Sequence, residues 1–181
     1  MDSKDNRMIV GDNIRGDRSP SDLYITPPFA IEQLLLRENF EGLVWEPACG
    51  TGAISRYLLN CMASDISDES FIEGEQGVDF LSEFRKVDHI VTNPPFRLAE
   101  RFVYHSLECA TGKVALLMKL VFLEGRKRYK LFQETPLREV IVFSDRLSFG
   151  GYQDFGGMMA FAWFIWEHGY KGRAELSWIR R

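Results

Sequence analysis

The tetrapeptide Asn93-Pro94-Pro95-Phe96 has the residue types that could most readily do chemistry in this sequence. A proline disfavours helical conformation in the residue before it, so Asn93 should be extended, and two prolines stiffen the loop. Asn93 offers a side-chain carbonyl oxygen, Pro94 offers a main-chain carbonyl oxygen, and Phe96 offers a flat aromatic face. Two acceptors fixed beside a stacking surface are complementary to an aromatic primary amine. The alternative is an ordinary turn that ends a strand.

A second segment could bring its main chain close to a ligand: Glu46-Pro47-Ala48-Cys49-Gly50-Thr51-Gly52. Its two glycines permit a tight turn, and a helix predicted over 53–59 would offer free amides to an anionic group. Ser55 stands where the dinucleotide-binding fingerprint has its third glycine, which disfavours a nicotinamide cofactor. A plain strand-to-helix turn explains the same pattern about equally well.

Two acidic residues follow this loop, and each could either bind a ligand or have an ordinary structural role. Asp65 ends the next predicted strand and could accept both hydroxyls of a ribose. Asp79, in Gly77-Val78-Asp79-Phe80, could accept a hydrogen bond from the amino group of an adenine ring. A solvated carboxylate at a strand end and a turn residue are the respective alternatives.

A basic run, Arg126-Lys127-Arg128-Tyr129-Lys130, places an aromatic residue among cations. It follows a predicted strand over 113–119, so we expect it on the rim where a substrate would enter, in contact with phosphates. A solvated helix face balanced by Glu124 and Glu134 deserves equal weight.

The composition excludes several classes of protein. The 181 residues are 45% hydrophobic and 27% charged, which fits one globular domain. The net charge of −4 means that contact with phosphates would need a local basic patch. The three cysteines form no Cys-x-x-Cys pair, and the histidines are scattered without metal-ligand spacing, so we expect no metal site. The sequence also has no signal peptide and no long apolar run. Together these features predict a soluble cytoplasmic protein without a membrane partner.

Short apolar runs alternate with amphipathic segments along the chain. Residues 1–22 are polar and predict a flexible arm, followed by a single domain over 23–181. The predicted strands are 43–45, 61–65, 87–92, 113–119, 140–143 and 158–166. The predicted helices are 29–36 with Thr26 as its cap, 53–59, 96–110 and 126–134. This alternation predicts an α/β fold with a mostly parallel sheet and helices on both faces.

The last two predicted strands have only a glycine-rich loop between them, so they should be antiparallel neighbours. Tyr152 and Phe155 on that loop could stack on bases, or simply pack within the hairpin. Ligands of parallel sheets bind beyond the carboxyl ends of the strands. Because the glycine loop, Asp65 and the tetrapeptide all follow strands, we expect them to meet at one edge of the sheet.

In combination these segments resemble the S-adenosylmethionine-dependent amino-methyltransferases, especially the adenine-N6 DNA methyltransferases. Tyr24-Ile25-Thr26-Pro27 resembles the family motif that contacts the methionine end of the cofactor. Residues 46–52 resemble the cofactor loop, with Glu where Asp is more usual. Asp65 matches the ribose-binding acid, and Asp79-Phe80 match the contacts to the adenine ring. Residues 93–96 match the catalytic tetrapeptide.

The resemblance covers roughly residues 24–166 and implies a Rossmann-like methyltransferase fold, with seven strands, an antiparallel last strand and helices on both faces. It implies S-adenosyl-L-methionine as the cofactor and transfer of a methyl group to the exocyclic N6 amine of a flipped or single-stranded adenine in DNA. Asn93 and the carbonyl of Pro94 would accept the hydrogens of the amine, and Phe96 would stack on the base.

Three alternatives to DNA adenine methylation stay open. They are methylation of adenine in RNA, methylation of a protein glutamine, and a non-catalytic nucleic-acid-binding module. The glutamine enzymes of this resemblance usually carry Tyr where Phe96 stands, which disfavours that option. Few residues separate Gly52 from Asn93, so we expect a bare catalytic domain whose target recognition could come from a separate partner.

Overall fold

A computed structural model describes residues 24–69, 72–149 and 159–180. The strands are β1 Val44–Glu46, β2 Cys61–Ala63, β3 His89–Thr92, β4 Lys113–Lys119, β5 Leu137–Phe143, β6 Phe161–Glu167 and β7 Glu175–Ile179. The α-helices are α1 Pro28–Leu35, α2 Ala99–Cys109 and α3 Tyr129–Glu134. Short 3₁₀ helices span Ser55–Tyr57, Phe96–Leu98, Leu120–Leu123 and Arg126–Arg128. The predicted arm over 1–22, Tyr152 and Phe155 lie outside the described residues.

The strands form one sheet in the order β2-β1-β3-β4-β6-β5-β7. Strand β6 runs antiparallel to both of its neighbours, β4 and β5, whereas the remaining adjacent pairs are parallel. The predicted seven-stranded, mostly parallel sheet is therefore confirmed, and its antiparallel strand is the aromatic-rich segment that the sequence indicated. One further strand, β7, follows it in the chain and pairs parallel with β5. The apolar runs had located only six strands, and the position of β7 was not predicted. Its apolar residues Leu176 and Trp178 alternate with polar ones and are exposed, so the segment has no continuous apolar run of the kind that marks the buried strands.

Helices cover both faces of the sheet, as predicted. Side chains alternate across a strand, so β4 sends Leu116 to one face and Leu117 to the other. Helix α2 buries Phe102 and Val103 in the first of these cores. Helix α1 buries its apolar face in the second. Burial on two sides holds the short central strands rigidly, and their carboxyl ends provide a fixed frame for a site.

Two helix starts differ from the predictions. Pro27 is extended and forms the N-cap of α1, with Pro28 at the first helical position, so Thr26 lies one residue too early to cap the helix. The predicted helix over 53–59 is reduced to the 3₁₀ turn Ser55–Tyr57 and the turns that flank it. A turn this short offers no helix dipole to an anion, so that part of the expectation for the glycine loop was wrong.

Within the ranges that the structure describes, no helix is both long and apolar enough to cross a membrane. The same ranges contain no group of three or more His, Cys, Asp or Glu side chains arranged to hold a metal ion.

Candidate active site

A cleft of about 250 Å³ opens at the carboxyl ends of β1, β2 and β3. The predicted cofactor and catalytic residues that line it are Tyr24, Thr26, Glu46, Pro47, Ala48, Cys49, Gly50, Thr51, Asp65, Asp79, Phe80, Asn93, Pro94 and Pro95. Gly52 and Phe96 were also predicted as site residues, but they are not among the residues of its wall. The fold thus gathers segments that are far apart in sequence around one concave surface.

The glycine loop between β1 and the first 3₁₀ turn depends on the absence of side chains at two positions. Gly50 and Gly52 have φ angles of 49° and 68°, in the left-handed region that other residues rarely adopt. A Cβ atom on Gly52 would also lie 3.1 Å from Cβ of Glu73. Gly52 therefore acts in the turn, and Gly50 brings the main chain to the wall of the cleft.

Asp65 joins the glycine loop to the end of β2. Its Oδ2 accepts a hydrogen bond of 2.9 Å from the amide of Gly50, and its Oδ1 accepts one of 2.9 Å from the amide of Ser67. Carboxylate oxygens have more than one acceptor site each, so these two bonds leave capacity for a ligand hydroxyl. The carboxylate is held in place by main-chain donors before any ligand arrives.

Glu46 is a buried acid, with 1% of its surface exposed. Its Oε2 accepts a 2.6 Å hydrogen bond from the amide of Ser55. Burial raises the pKa of Glu46 to about 8; the charge of Asp65 adds to the increase, and the Ser55 hydrogen bonds and Arg56 oppose it. No ion pair to Glu46 forms among the described residues. A cation brought into the cleft would therefore favour its ionised form.

Asp79 and Phe80 both reach the cleft wall, but their side chains have structural roles. The carboxylate of Asp79 accepts hydrogen bonds from the Leu81 amide and from the hydroxyl of Ser82, which closes the turn after it. The Phe80 ring is buried in the core, with its centroid 5.0 Å from that of Trp45. The turn role that the sequence allowed for Asp79 is present, and any contact to a ligand would be additional.

The Asn93 amide is fixed by the segment that precedes α1. Its Nδ2 donates a hydrogen bond of 3.1 Å to Oγ1 of Thr26 and one of 3.3 Å to the carbonyl oxygen of Tyr24. Its Oδ1 is buried and has no hydrogen-bond partner within the described ranges. A buried acceptor without a partner is costly, so this oxygen is a natural place for a donor from a ligand.

Phe96 belongs to an aromatic group beside the cleft. Its ring centroid lies 5.3 Å from that of Tyr24 and 5.6 Å from that of Phe161. The ammonium of Lys119, at the end of β4, lies 4.4 Å from the centre of the Phe96 ring. The ring is therefore partly covered in this structure, and a base could stack on it only beside or in place of these neighbours.

The predicted basic run divides into two kinds of residue. The guanidinium of Arg128 donates to the carbonyl oxygen of Glu124 at 2.8 Å and lies 4.9 Å from the Phe122 ring centre. Lys130 forms an exposed ion pair with Glu134 at 3.6 Å. Arg126 and Lys127 are exposed on a 3₁₀ turn. These last two side chains fit a phosphate contact better than Arg128 or Lys130.

Two cations near the tetrapeptide were missed by the reasoning from sequence. Arg97 is exposed and lines the cleft directly after Phe96, and Lys119 covers the Phe96 ring. A single cation in a mixed sequence carries no periodic or motif signal. The one indication in the sequence that Arg97 lies near the site was its position directly after Phe96.

Cys49 lies in the cleft wall, but its environment does not favour a thiolate. Burial raises the pKa of its thiol to about 12, and the negative charges of Glu46 and Asp65 act in the same direction. Its Sγ lies 3.8 Å from the main-chain carbonyl oxygens of Gly50 and of Glu73. The side chain therefore remains a neutral thiol that fills space behind the loop.

No family model matches this sequence, and no curated protein matches it. Solved structures do match its fold. A modification subunit of a proposed type I restriction enzyme from Vibrio vulnificus has a TM-score of 0.60 at 14% identity; the match covers 90% of this chain and 48% of that one. A proposed RNA methyltransferase from Pyrococcus horikoshii has a TM-score of 0.64 at 16% identity and covers 86% and 91% of the two chains.

A proposed class I S-adenosylmethionine-dependent methyltransferase from Listeria monocytogenes has a TM-score of 0.63 at 14% identity, over 92% of this chain and 68% of that one. The chain has the Rossmann-like fold of these methyltransferases, as its sequence predicted. It spans about half the length of the Vibrio subunit.

Proposed function

We propose that the protein is an S-adenosylmethionine-dependent methyltransferase that methylates the exocyclic N6 amine of adenine in DNA. The observation that carries the proposal is the buried, unpartnered Oδ1 of Asn93 in a cleft that also holds a glycine loop and Asp65. The similarity of the fold to methyltransferases of solved structure supports it.

The residues of the cleft fit the cofactor in three respects. Gly50 exposes main chain where the ligand lies, and Asp65 has acceptor capacity for ribose hydroxyls. Glu46 forms no ion pair within the described ranges, and the ammonium of the methionine end would supply one. When bound, S-adenosylmethionine supplies a methyl group that its sulfonium already activates.

Asn93 and Pro94 act on the acceptor. The Oδ1 of Asn93 and the main-chain carbonyl of Pro94 accept the two amine hydrogens and favour a pyramidal nitrogen with an available lone pair. They also stabilise the positive charge that develops on this nitrogen, in a geometry fixed before the reaction. S-Adenosylmethionine, held at Gly50 and Asp65, would supply the methyl group to this nitrogen and leave as the neutral thioether, and the nitrogen would then give up one proton to solvent. Alignment of the reacting atoms supplies much of the remaining rate.

The acceptor base must leave its stack in the nucleic acid to reach the carbonyl oxygens of Asn93 and Pro94. A base within a duplex cannot enter the cleft, so the substrate is a flipped or single-stranded adenine. Arg97 at the lip of the cleft and the exposed pair Arg126 and Lys127 are the cations that we assign to backbone phosphates. Phe96 stacks on the base after its Lys119 neighbour moves aside.

Adenine in RNA is the second candidate acceptor. The Pyrococcus protein supports an RNA substrate, because this chain spans 91% of that proposed RNA methyltransferase but only 48% of the Vibrio modification subunit. The groups around Asn93 bind the base and make no proposed contact with the sugar, so they would accept adenine from either DNA or RNA. For a DNA target, we propose that a separate partner protein supplies sequence recognition, and a cytoplasmic location fits the three free cysteines.

The test is transfer of a radiolabelled methyl group from S-adenosylmethionine to unmethylated DNA, to RNA and to mixed cell protein. Digestion and mass spectrometry then identify the modified nucleoside or residue. We expect N6-methyl-2′-deoxyadenosine from DNA. Label in RNA alone would select the second candidate, label in protein alone would exclude both, and cofactor binding without label would point to a non-catalytic module.

A further inference from the structure

Thr26 lies against the amide of Asn93, 67 positions away in the sequence, and its hydroxyl accepts a hydrogen bond from Nδ2 at 3.1 Å. The resemblance to a family motif implied a contact between this segment and the cofactor. The geometry points instead to a task in the transfer step. We propose that Thr26 is a positioning residue that holds the Asn93 amide with its Oδ1 directed at the acceptor amine. This inference rests on the proposed function.

The two contacts of Nδ2 together define which end of the amide faces the ligand. A hydroxyl can donate or accept, so Thr26 alone would tolerate either orientation of the amide. The carbonyl oxygen of Tyr24 can only accept, and it lies 3.3 Å from the same nitrogen. The NH2 group must therefore face the segment 24–26, which leaves Oδ1 as the free end.

The segment that carries Thr26 is anchored firmly enough to act as a reference point. Thr26 has only 3% of its surface exposed. Pro27 and Pro28 follow it and fix the entry into α1, whose apolar face is fully buried. The carbonyl oxygen of Ala30 also accepts a 2.8 Å hydrogen bond from the indole of Trp163 on β6. The Thr26 hydroxyl is thus held relative to the sheet from which Asn93 extends.

Loss of the hydroxyl would loosen the Asn93 amide without reversing it. One hydrogen of the amide would lose its acceptor, and of the two bonds to Nδ2 only the 3.3 Å bond to the carbonyl oxygen of Tyr24 would remain. Oδ1 would then spend less time aligned with the amine of the substrate. Turnover then falls, while the cofactor, which lies against the glycine loop and Asp65, binds as before.

The test compares Thr26→Val, Thr26→Ser and the control Thr92→Val. Valine keeps the shape of threonine without its hydroxyl, and serine restores the hydroxyl. Thr92 is a buried neighbour whose hydroxyl has no partner among the described residues, so its replacement removes no bond to Asn93. We expect Thr26→Val to lower kcat about 10- to 100-fold with an unchanged dissociation constant for the cofactor. Thr26→Ser should recover most of kcat, and Thr92→Val should match the wild type.

A tenfold weaker affinity for the cofactor with normal kcat at saturation would overturn the proposal and make Thr26 a cofactor contact. Normal values of both constants in Thr26→Val would also overturn it. The orientation has a readout that does not need activity: the side-chain NH2 resonances of Asn93, identified by their loss in Asn93→Ala. Slow proton exchange of these groups in the wild type, and faster exchange in Thr26→Val, would support the contact even if no methyl transfer is found.

Discussion

The main-chain amide of Gly50 and the carboxylate of Asp65 are joined by a hydrogen bond of 2.9 Å, across the ends of two neighbouring parallel strands. The same carboxylate receives the amide of Ser67 at 2.9 Å. Asp65 therefore organises the glycine loop at the same time as it faces the cleft. Its replacement should affect both the shape of the loop and the binding of a ligand.

Asp65→Ala should weaken the binding of S-adenosylmethionine by at least tenfold, because it removes an acceptor and frees two loop amides. Each lost bond to a charged acceptor costs roughly 1.5–3 kcal/mol, so the melting temperature should also fall. Titration calorimetry and thermal unfolding measure the two effects. The exposed neighbour Asp68 provides the control, since Asp68→Ala should change neither. Unchanged affinity in Asp65→Ala would remove this residue from the site.

Asn93→Ala should retain cofactor affinity and lose about 10²- to 10³-fold in kcat, the usual cost of removing one preorganised group that stabilises developing charge. Radiolabel transfer at saturating cofactor measures kcat, and calorimetry measures affinity. Asn39→Ala is the matched control, because Asn39 is exposed and pairs only with Glu41 among the contacts of its side chain. Turnover near the wild-type value in Asn93→Ala would contradict the role of its Oδ1.

The buried Glu46 should make the stability of the free protein depend on pH. Its pKa is raised from 4.5 to about 8 in the folded state, so between these values the folded protein binds the proton more tightly than the unfolded chain. The stability that this proton contributes to the folded state is thus fully present below pH 4.5 and is lost as the pH rises through 8. Over that range the free energy of unfolding falls by at most about 1.4 kcal/mol per pH unit because of Glu46. Denaturant unfolding of wild type and Glu46→Gln at pH 5.5 and 8 measures the difference, which should be smaller in the variant. Equal pH slopes would show that Glu46 titrates normally.

Cofactor binding should release a proton from the same residue. At pH 7 a group with a pKa of about 8 is mostly protonated, and an ammonium placed beside it lowers that pKa. Calorimetry in buffers of different ionisation enthalpy counts the released protons. We expect up to one proton per site in the wild type and close to none in Glu46→Gln. An equally small number of released protons in the wild type and in Glu46→Gln would show that the ammonium binds away from Glu46.

Arg126 and Lys127 should contribute to nucleic-acid binding through charge alone. The double variant Arg126→Ala/Lys127→Ala should weaken binding to single-stranded DNA and reduce the slope of log affinity against log salt by about 0.7 per lost phosphate contact. Fluorescence anisotropy over a salt series measures the slope. The control Lys171→Ala removes an exposed cation from the loop between β6 and β7. Equal slopes for the double variant and the control would leave these residues as a solvated face.

Arg128 should respond differently from its neighbours. Its guanidinium holds the carbonyl oxygen of Glu124 and packs over Phe122, so Arg128→Ala should lower the melting temperature. The salt slope for DNA binding should change less than in the double variant. A normal melting temperature with a reduced slope would assign Arg128 to the phosphate contacts instead.

The sequence by itself determined the alternation of strands and helices, the antiparallel strand and the meeting of the strand-end motifs at one cleft. These features follow from local patterns: apolar runs define the strands, and Gly50 and the prolines after Asn93 mark their ends. Only the tertiary structure decided the burial that raises the pKa of Glu46, the pairing of β7 with β5, and the contact of Thr26 with Asn93. Each of these depends on residues distant in the chain, and a local pattern of residue types does not specify which distant atoms come within hydrogen-bonding distance.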